Sequence, residues 1–175
     1  LSFLIRLNFL DSYHNIISPD VYNYVITSHG VTMIFFFLMP VLIGGFGNYL
    51  LPLLLGLSDL SLPRLNALSL WLLFPSCLCL GLSMFFGSGV GWTFYPPLSG
   101  SESSGLGTDF LLFSLHLAGI SSLLSSLNFV STILSEGENS KVHPLSIITW
   151  AYLFTSVLLL LPLPVWAAAI TMLLF

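Results

Sequence analysis

Apolar residues run along this chain in blocks longer than one face of a soluble helix requires. Four of them, approximately Val21–Leu55, Leu65–Phe86, Phe110–Leu134 and Pro144–Phe175, can each cross a hydrocarbon core of about 30 Å, which takes about 20 helical residues. Leu1 to Leu10 is a shorter apolar beginning, interrupted by Arg6 and followed by Asp11, and reads as the end of an earlier span. In lipid every backbone polar group must find its partner inside the protein, and no strand-length alternation points to a barrel, so the spans are helices. The expected fold is all-α: a polytopic transmembrane helix bundle of about four full spans plus the end of an earlier one, with residues 1–175 forming one transmembrane domain. The first and last blocks exceed a minimal span and should tilt, project or kink, with Pro40 and Pro162 as the kink sites. Gly44-Gly45-Phe46-Gly47 allows close backbone approach to a neighbouring helix.

Composition supports the same solvent. Hydrophobic residues make up 56% and charged residues 6% of the chain, against roughly a quarter charged in a soluble domain. Three basic and seven acidic side chains give a formal charge of -4, with no basic stripe to follow a phosphate backbone, which argues against nucleic acid as a partner. Cys77 and Cys79 stand two apart on a helix, turned roughly 200° from each other, and read as packing residues. Alternating connections put Asp59 and Arg64 on the same side as Glu136, Glu138 and Lys141, and put Asp20 and the segment Gly87 to Asp109 on the other. Arg64 and Lys141 make the first side the positive one, hence cytoplasmic, or matrix in a mitochondrion. The chain begins with Leu1 and lacks a secretory signal pattern, which reads as a fragment or a processed piece.

Ionisable residues inside membrane helices are functional candidates by default, because desolvating them is costly. His29 stands nine residues after Asp20, roughly 13 Å into the first span by helical rise, with no charge following until Asp59. Haem or metal ligation is one reading; a hydrogen-bonded packing histidine is the other. His116 lies within the third span without a carboxylate or histidine near it in sequence and reads as packing, whereas His14 and His143 belong to polar connections. A second pattern is a series of neutral polar side chains in apolar helices: Asn48, Asn66, Ser121, Ser122 and Asn128, beginning near Asp59. Such groups hold ordered water without fixing a charge, and a carboxylate at the mouth can gather protons; they also hold bundles together by interhelical hydrogen bonds.

Longer motifs then add to these readings. Ser28-His29-Gly30, Met33-Ile34-Phe35-Phe36, Met39-Pro40 and Ile43-Gly44-Gly45-Phe46-Gly47-Asn48 follow one another in a single span. Pro52, Gly56, Asp59, Pro63-Arg64, Asn66, Trp71, Gly91-Trp92-Thr93 and Tyr95-Pro96-Pro97-Leu98 come next. Phe113 to Gly119, Asn128-Phe129, Leu163-Pro164-Val165 and Ile170 to Leu174 complete the series. In this order they resemble subunit I of the haem-copper cytochrome oxidases, from the end of its first helix to its fifth. The resemblance implies that His29 is an axial ligand to the iron of the low-spin haem, haem a. It also implies that Arg6 contacts the formyl group of that haem and that Tyr22 and Trp92 lie near its propionates. Asp59, Asn48, Asn66, Ser121, Ser122 and Asn128 match a proton route with an acidic mouth, coupled to oxygen reduction.

The same resemblance places the family's other residues elsewhere. The second low-spin haem ligand, the high-spin haem ligand, the copper-binding histidines and the glutamate at the inner end of the proton route belong beyond Phe175, so this stretch by itself lacks an oxygen-reducing site. Either the subunit is made as separate polypeptides or the sequence is part of a longer chain. Where the family has an acidic residue two positions after Arg6, this chain has Asn8. The implied activity is that of a respiratory terminal oxidase taking electrons from cytochrome c, with an equivalent part of a quinol oxidase as the alternative and a transporter or channel bundle as a more distant one. The implied partners are the remaining catalytic-subunit segments, other oxidase subunits, lipid, and cytochrome c through the complex. The implied location is the mitochondrial inner membrane, or a bacterial plasma membrane.

Overall fold

The computed structural model describes residues 1–10, 16–100, 105–137 and 145–175. His14, His143, Asp11, Glu138 and Lys141 therefore lie outside the described residues, as does the side chain of Glu136. Helix α1 covers Ser2–Asn8, α2 Pro19–Leu55, α3 Pro63–Phe86, α4 Leu106–Gly137 and α5 Ile147–Leu174. The last four are long and apolar enough to cross a membrane, so the chain is a multi-pass, all-α membrane protein and the described residues form no strand.

Local chemistry explains where the spans begin and end. Pro19 and Pro63 open α2 and α3, positions where a missing N–H costs nothing because that donor has no helical partner. Ser146 caps α5 by accepting the Thr149 N–H at 3.2 Å. Gly56 closes α2 at φ 69°, with Leu57 N–H reaching back to the Pro52 carbonyl at 2.8 Å, the left-handed stop that glycine makes without a Cβ clash. Around Pro40 the helix widens into π turns over Thr32–Leu38 and Pro40–Gly47. A proline ring collides with the carbonyl four residues back, and the wider turn relieves that collision. At Leu161, just before Pro162, the last span passes from one helical segment to the next.

Helix α4 is the centre of the bundle: 44% of its apolar window is buried, against 11% for α2 and for α5. It packs along α3 through a seam of small polar residues. Ser76 donates to the Ser114 carbonyl at 2.6 Å and Ser114 returns the bond to the Ser76 carbonyl at 2.9 Å. Seven residues earlier on α3 and seven later on α4, Ser121 donates to the Ser69 carbonyl at 2.6 Å. One more step of seven brings the Asn128 Oδ1 to the N–H of Leu62 at 3.1 Å. Two antiparallel helices thus share one heptad seam, and its small side chains let the backbones close up.

Apolar clusters lie towards either end of α4. One contains Val31, Leu80, Val90, Phe94, Leu111, Leu112, Leu115 and Ile170; the other contains Leu51, Leu60, Phe129, Ile133 and Leu153. Ser61 meets Ser131 and Thr132, while Asp20 and Asn23 share a pocket with Gly87–Val90 and Thr108, so the connections gather at the two ends as the alternating spans require. Cys77 is exposed and Cys79 half-buried, both free thiols; Cys77 faces outward rather than into this bundle.

Candidate functional site

The first region lies on α2. Tyr22 and His29 stand seven residues apart, two turns and about 10 Å along one helix face. His29 is half-buried, and among the described residues its imidazole has no hydrogen-bond partner. Beside it, the side chain of Trp92 rests on the bare backbone of Gly30: a Cβ there would come within 2.9 Å of the Trp92 Cβ. The turn carrying Trp92 is fixed by Gly91 N–H donating to Thr27 Oγ1 at 3.1 Å. Arg6 projects from α1 and is exposed; α1 leans on α2 through the edge-to-face pair Phe9–Tyr22, with ring centroids 5.7 Å apart. Asn8 is buried and accepts the Ile17 N–H at 3.1 Å, so its side chain holds Ile17 close to the end of α1.

Haem fits this donor set. An imidazole without a protein partner offers a neutral nitrogen to iron, and the guanidinium of Arg6, the phenol of Tyr22 and the indole N–H of Trp92 are donors suited to formyl and carboxylate oxygens. His116 is committed differently: Nδ1 lies 2.8 Å from the Leu112 carbonyl and Nε2 2.9 Å from Thr171 Oγ1, which ties α4 to α5 as a packing histidine does. Among the described residues no group of three or more His, Cys, Asp or Glu side chains stands together.

The second region is a cavity of about 440 Å³ between α2, α3 and α4. Asn48, Asn66, Ser121 and Ser122 line it together with Ser69, Ser125, Gly44 and Gly45. The Asn48 Oδ1 is buried without a hydrogen-bond partner among the described residues, which is how a group meant for water presents itself in a protein interior. Asn128 is fully buried at one end of this stretch; its Oδ1 accepts from Leu62 and its Nδ2 has no partner. Asp59 lies outside the cavity, exposed on the α2–α3 connection, where its Oδ1 accepts the Leu60 N–H at 2.7 Å.

Ser69 and Ser125 escaped the sequence reading, although a signal existed: each stands three residues beyond a chosen residue, Asn66 and Ser122, and so on the same helix face. The hydroxyl cluster of Ser61, Ser131 and Thr132, with oxygens 3.0 Å apart, also escaped it. Ser61 belongs to the connection beside Asp59, and no local pattern ties it to α4.

The chain matches the family described as cytochrome c and quinol oxidase polypeptide I over residues 1–175. It is similar to cytochrome c oxidase subunit 1 of Yarrowia lipolytica, 50% identical over 159 residues, 89% of this chain and 30% of that protein. The same subunit of Eremothecium gossypii is 49% identical over 159 residues, 89% of this chain and 30% of that protein. That of Pecten maximus is 47% identical over 178 aligned positions, 99% of this chain and 37% of that protein. The chain therefore spans about a third of the length of these curated relatives. A half-buried histidine in a membrane span, a cavity between three helices with asparagine and serine on its wall and a match running the full length of the chain lead to one conclusion: this protein belongs to the cytochrome c and quinol oxidase polypeptide I family.

Proposed function

We propose that this chain is the part of a cytochrome c oxidase catalytic subunit that holds the low-spin haem a and opens a proton route. The observation that carries the reading is the His29 imidazole, half-buried in a membrane span and without a hydrogen-bond partner among the described residues, one position before the Gly30 backbone on which Trp92 rests. A histidine in a membrane helix is otherwise expected to be hydrogen-bonded, as His116 is.

In this reading His29 would supply a nitrogen ligand to the haem iron, Arg6 would hold the formyl group, and Tyr22 and Trp92 the propionates. The haem, when bound, supplies reversible one-electron chemistry. The protein's part is to hold it in a fixed polar setting that sets its potential. The other ligand of this haem, the high-spin haem and copper would be held by segments outside these residues, and electrons would arrive from cytochrome c through the other subunits. The assembly belongs in the mitochondrial inner membrane, in keeping with the names of the relatives. Asp59 gathers protons at the mouth, Asn128 and the α2–α3 connection lie next, and Asn48, Asn66, Ser121 and Ser122 hold water in the cavity. The support for this route is that side chains from three helices meet at one cavity with the Asn48 oxygen unpaired.

In the purified complex, His29→Ala should remove the low-spin haem band while the high-spin haem remains. An unaltered low-spin band would sink the ligand assignment. Asp59→Asn should leave both haem spectra in place and lower the protons moved per electron; an unchanged ratio in reconstituted vesicles would exclude Asp59 as the mouth.

A further inference from the structure

We propose that Thr27 and Gly30 are positioning residues that seat the Trp92 indole against α2, and that they act on the haem through Trp92 without touching it. This inference rests on the haem reading of His29 and Trp92. Thr27 is 1% exposed. Its single hydroxyl hydrogen goes to the Asn23 carbonyl at 2.8 Å, which leaves the oxygen as an acceptor for the Gly91 N–H at 3.1 Å. The direction of both bonds is therefore determined, and the residue before Trp92 is pinned to α2.

One turn further along the same face, Gly30 offers no side chain. A Cβ at that position would stand 2.9 Å from Trp92 Cβ and 3.1 Å from Cγ, so the indole can lie there only because the helix surface is bare. The turn is braced from behind as well. Gly91 has φ +82°, and a Cβ on it would meet the Tyr95 ring at 2.7 Å. Phe94 N–H donates to the Gly91 carbonyl at 3.1 Å, Tyr95 N–H to that of Val90 at 3.2 Å, and Ser99 Oγ to that of Phe94 at 3.1 Å.

Phe94 itself holds a left-handed φ of 55°. That conformation is costly for a non-glycine residue, and its ring is buried in the core cluster. The turn thus has one place to dock, and Thr27 with Gly30 defines it. In the haem reading the Trp92 indole is a donor toward a propionate, and such an outer donor tunes the iron, so moving the indole should alter the spectrum and potential of the haem without removing it.

The test uses the purified complex and reads the low-spin haem band and its midpoint potential. Thr27→Val removes the acceptor from Gly91 and should lower the equilibrium constant for docking of the turn up to roughly tenfold. Band and midpoint should both shift at normal haem content, while Thr27→Ser keeps the wild-type values. In a Trp92→Phe background Thr27→Val should add no further shift, since its effect passes through the indole. Thr27→Ala serves if the valine variant does not assemble, with the same two outcomes. An unshifted band in the variant, or an equal shift without Trp92, overturns the proposal. His29→Ala separates the two levels: if it leaves the low-spin band intact, the haem reading fails and takes this inference with it. If it removes the band while Thr27→Val changes nothing, only this inference fails.

Discussion

Two glycines show how single residues set limits here. Gly47 lies under the Phe129 ring, where a Cβ would come within 2.7 Å of Cζ and 3.2 Å of the Tyr152 ring. Phe129 is fully buried and stacks edge-to-face on Tyr152 at 6.0 Å, so it has no free direction in which to retreat. Gly47→Val should destabilise the assembled protein by about 1–3 kcal/mol through overpacking, read as a lower thermal midpoint in detergent. Gly44, with nothing within 4 Å of the same probe position, should accept alanine without such a loss. The glycine cluster was legible in the chain as a close-approach device; which of its glycines bears the contact was not, because that depends on where Phe129 lies.

Among the elements, α3 and α4 carry the most specific pairing. Ser76 and Ser114 are both fully buried and exchange hydroxyl-to-carbonyl bonds across the seam. Interhelical hydrogen bonds in membranes average only about 0.6 kcal/mol, so Ser76→Ala should cost little and leave assembly intact. Ser76→Leu should cost about 1–3 kcal/mol or more, because a large side chain pushes the helices apart; the yield of assembled complex and its thermal midpoint would report the difference. A heptad of serines at Ser69, Ser76 and Ser83 on α3, and of Ser114, Ser121 and Asn128 on α4, stands openly in the sequence. In a soluble protein it would read as a solvated face. Only the membrane context turns it into an interface, since lipid repels polar groups toward the neighbouring helix.

For the whole molecule, the consequential result is a cavity midway along α4 that carries asparagine and serine side chains on an otherwise apolar wall, between two apolar clusters. Asn48→Leu removes its unpaired amide oxygen and adds apolar surface to its wall. Proton uptake should slow while the low-spin haem spectrum stays normal; unchanged uptake in a stopped-flow pH-indicator assay would take Asn48 out of the route. The sequence alone determined the solvent, the number of spans and most of their ends, because hydropathy, proline at a helix start and glycine at a helix stop act over a few neighbouring residues. It also marked His29 as an outlier, since a histidine in an apolar span is conspicuous without any neighbour. Tertiary structure alone decided that His116 bonds to Thr171, that Thr27 accepts from Gly91, and that Asn48 shares a cavity with Asn66 and Ser121. Helices surrounded by lipid are apolar on every side, so their periodicity says little about which face turns inward. That choice is made by close packing between helices distant in the chain, and it becomes visible only when they are brought together.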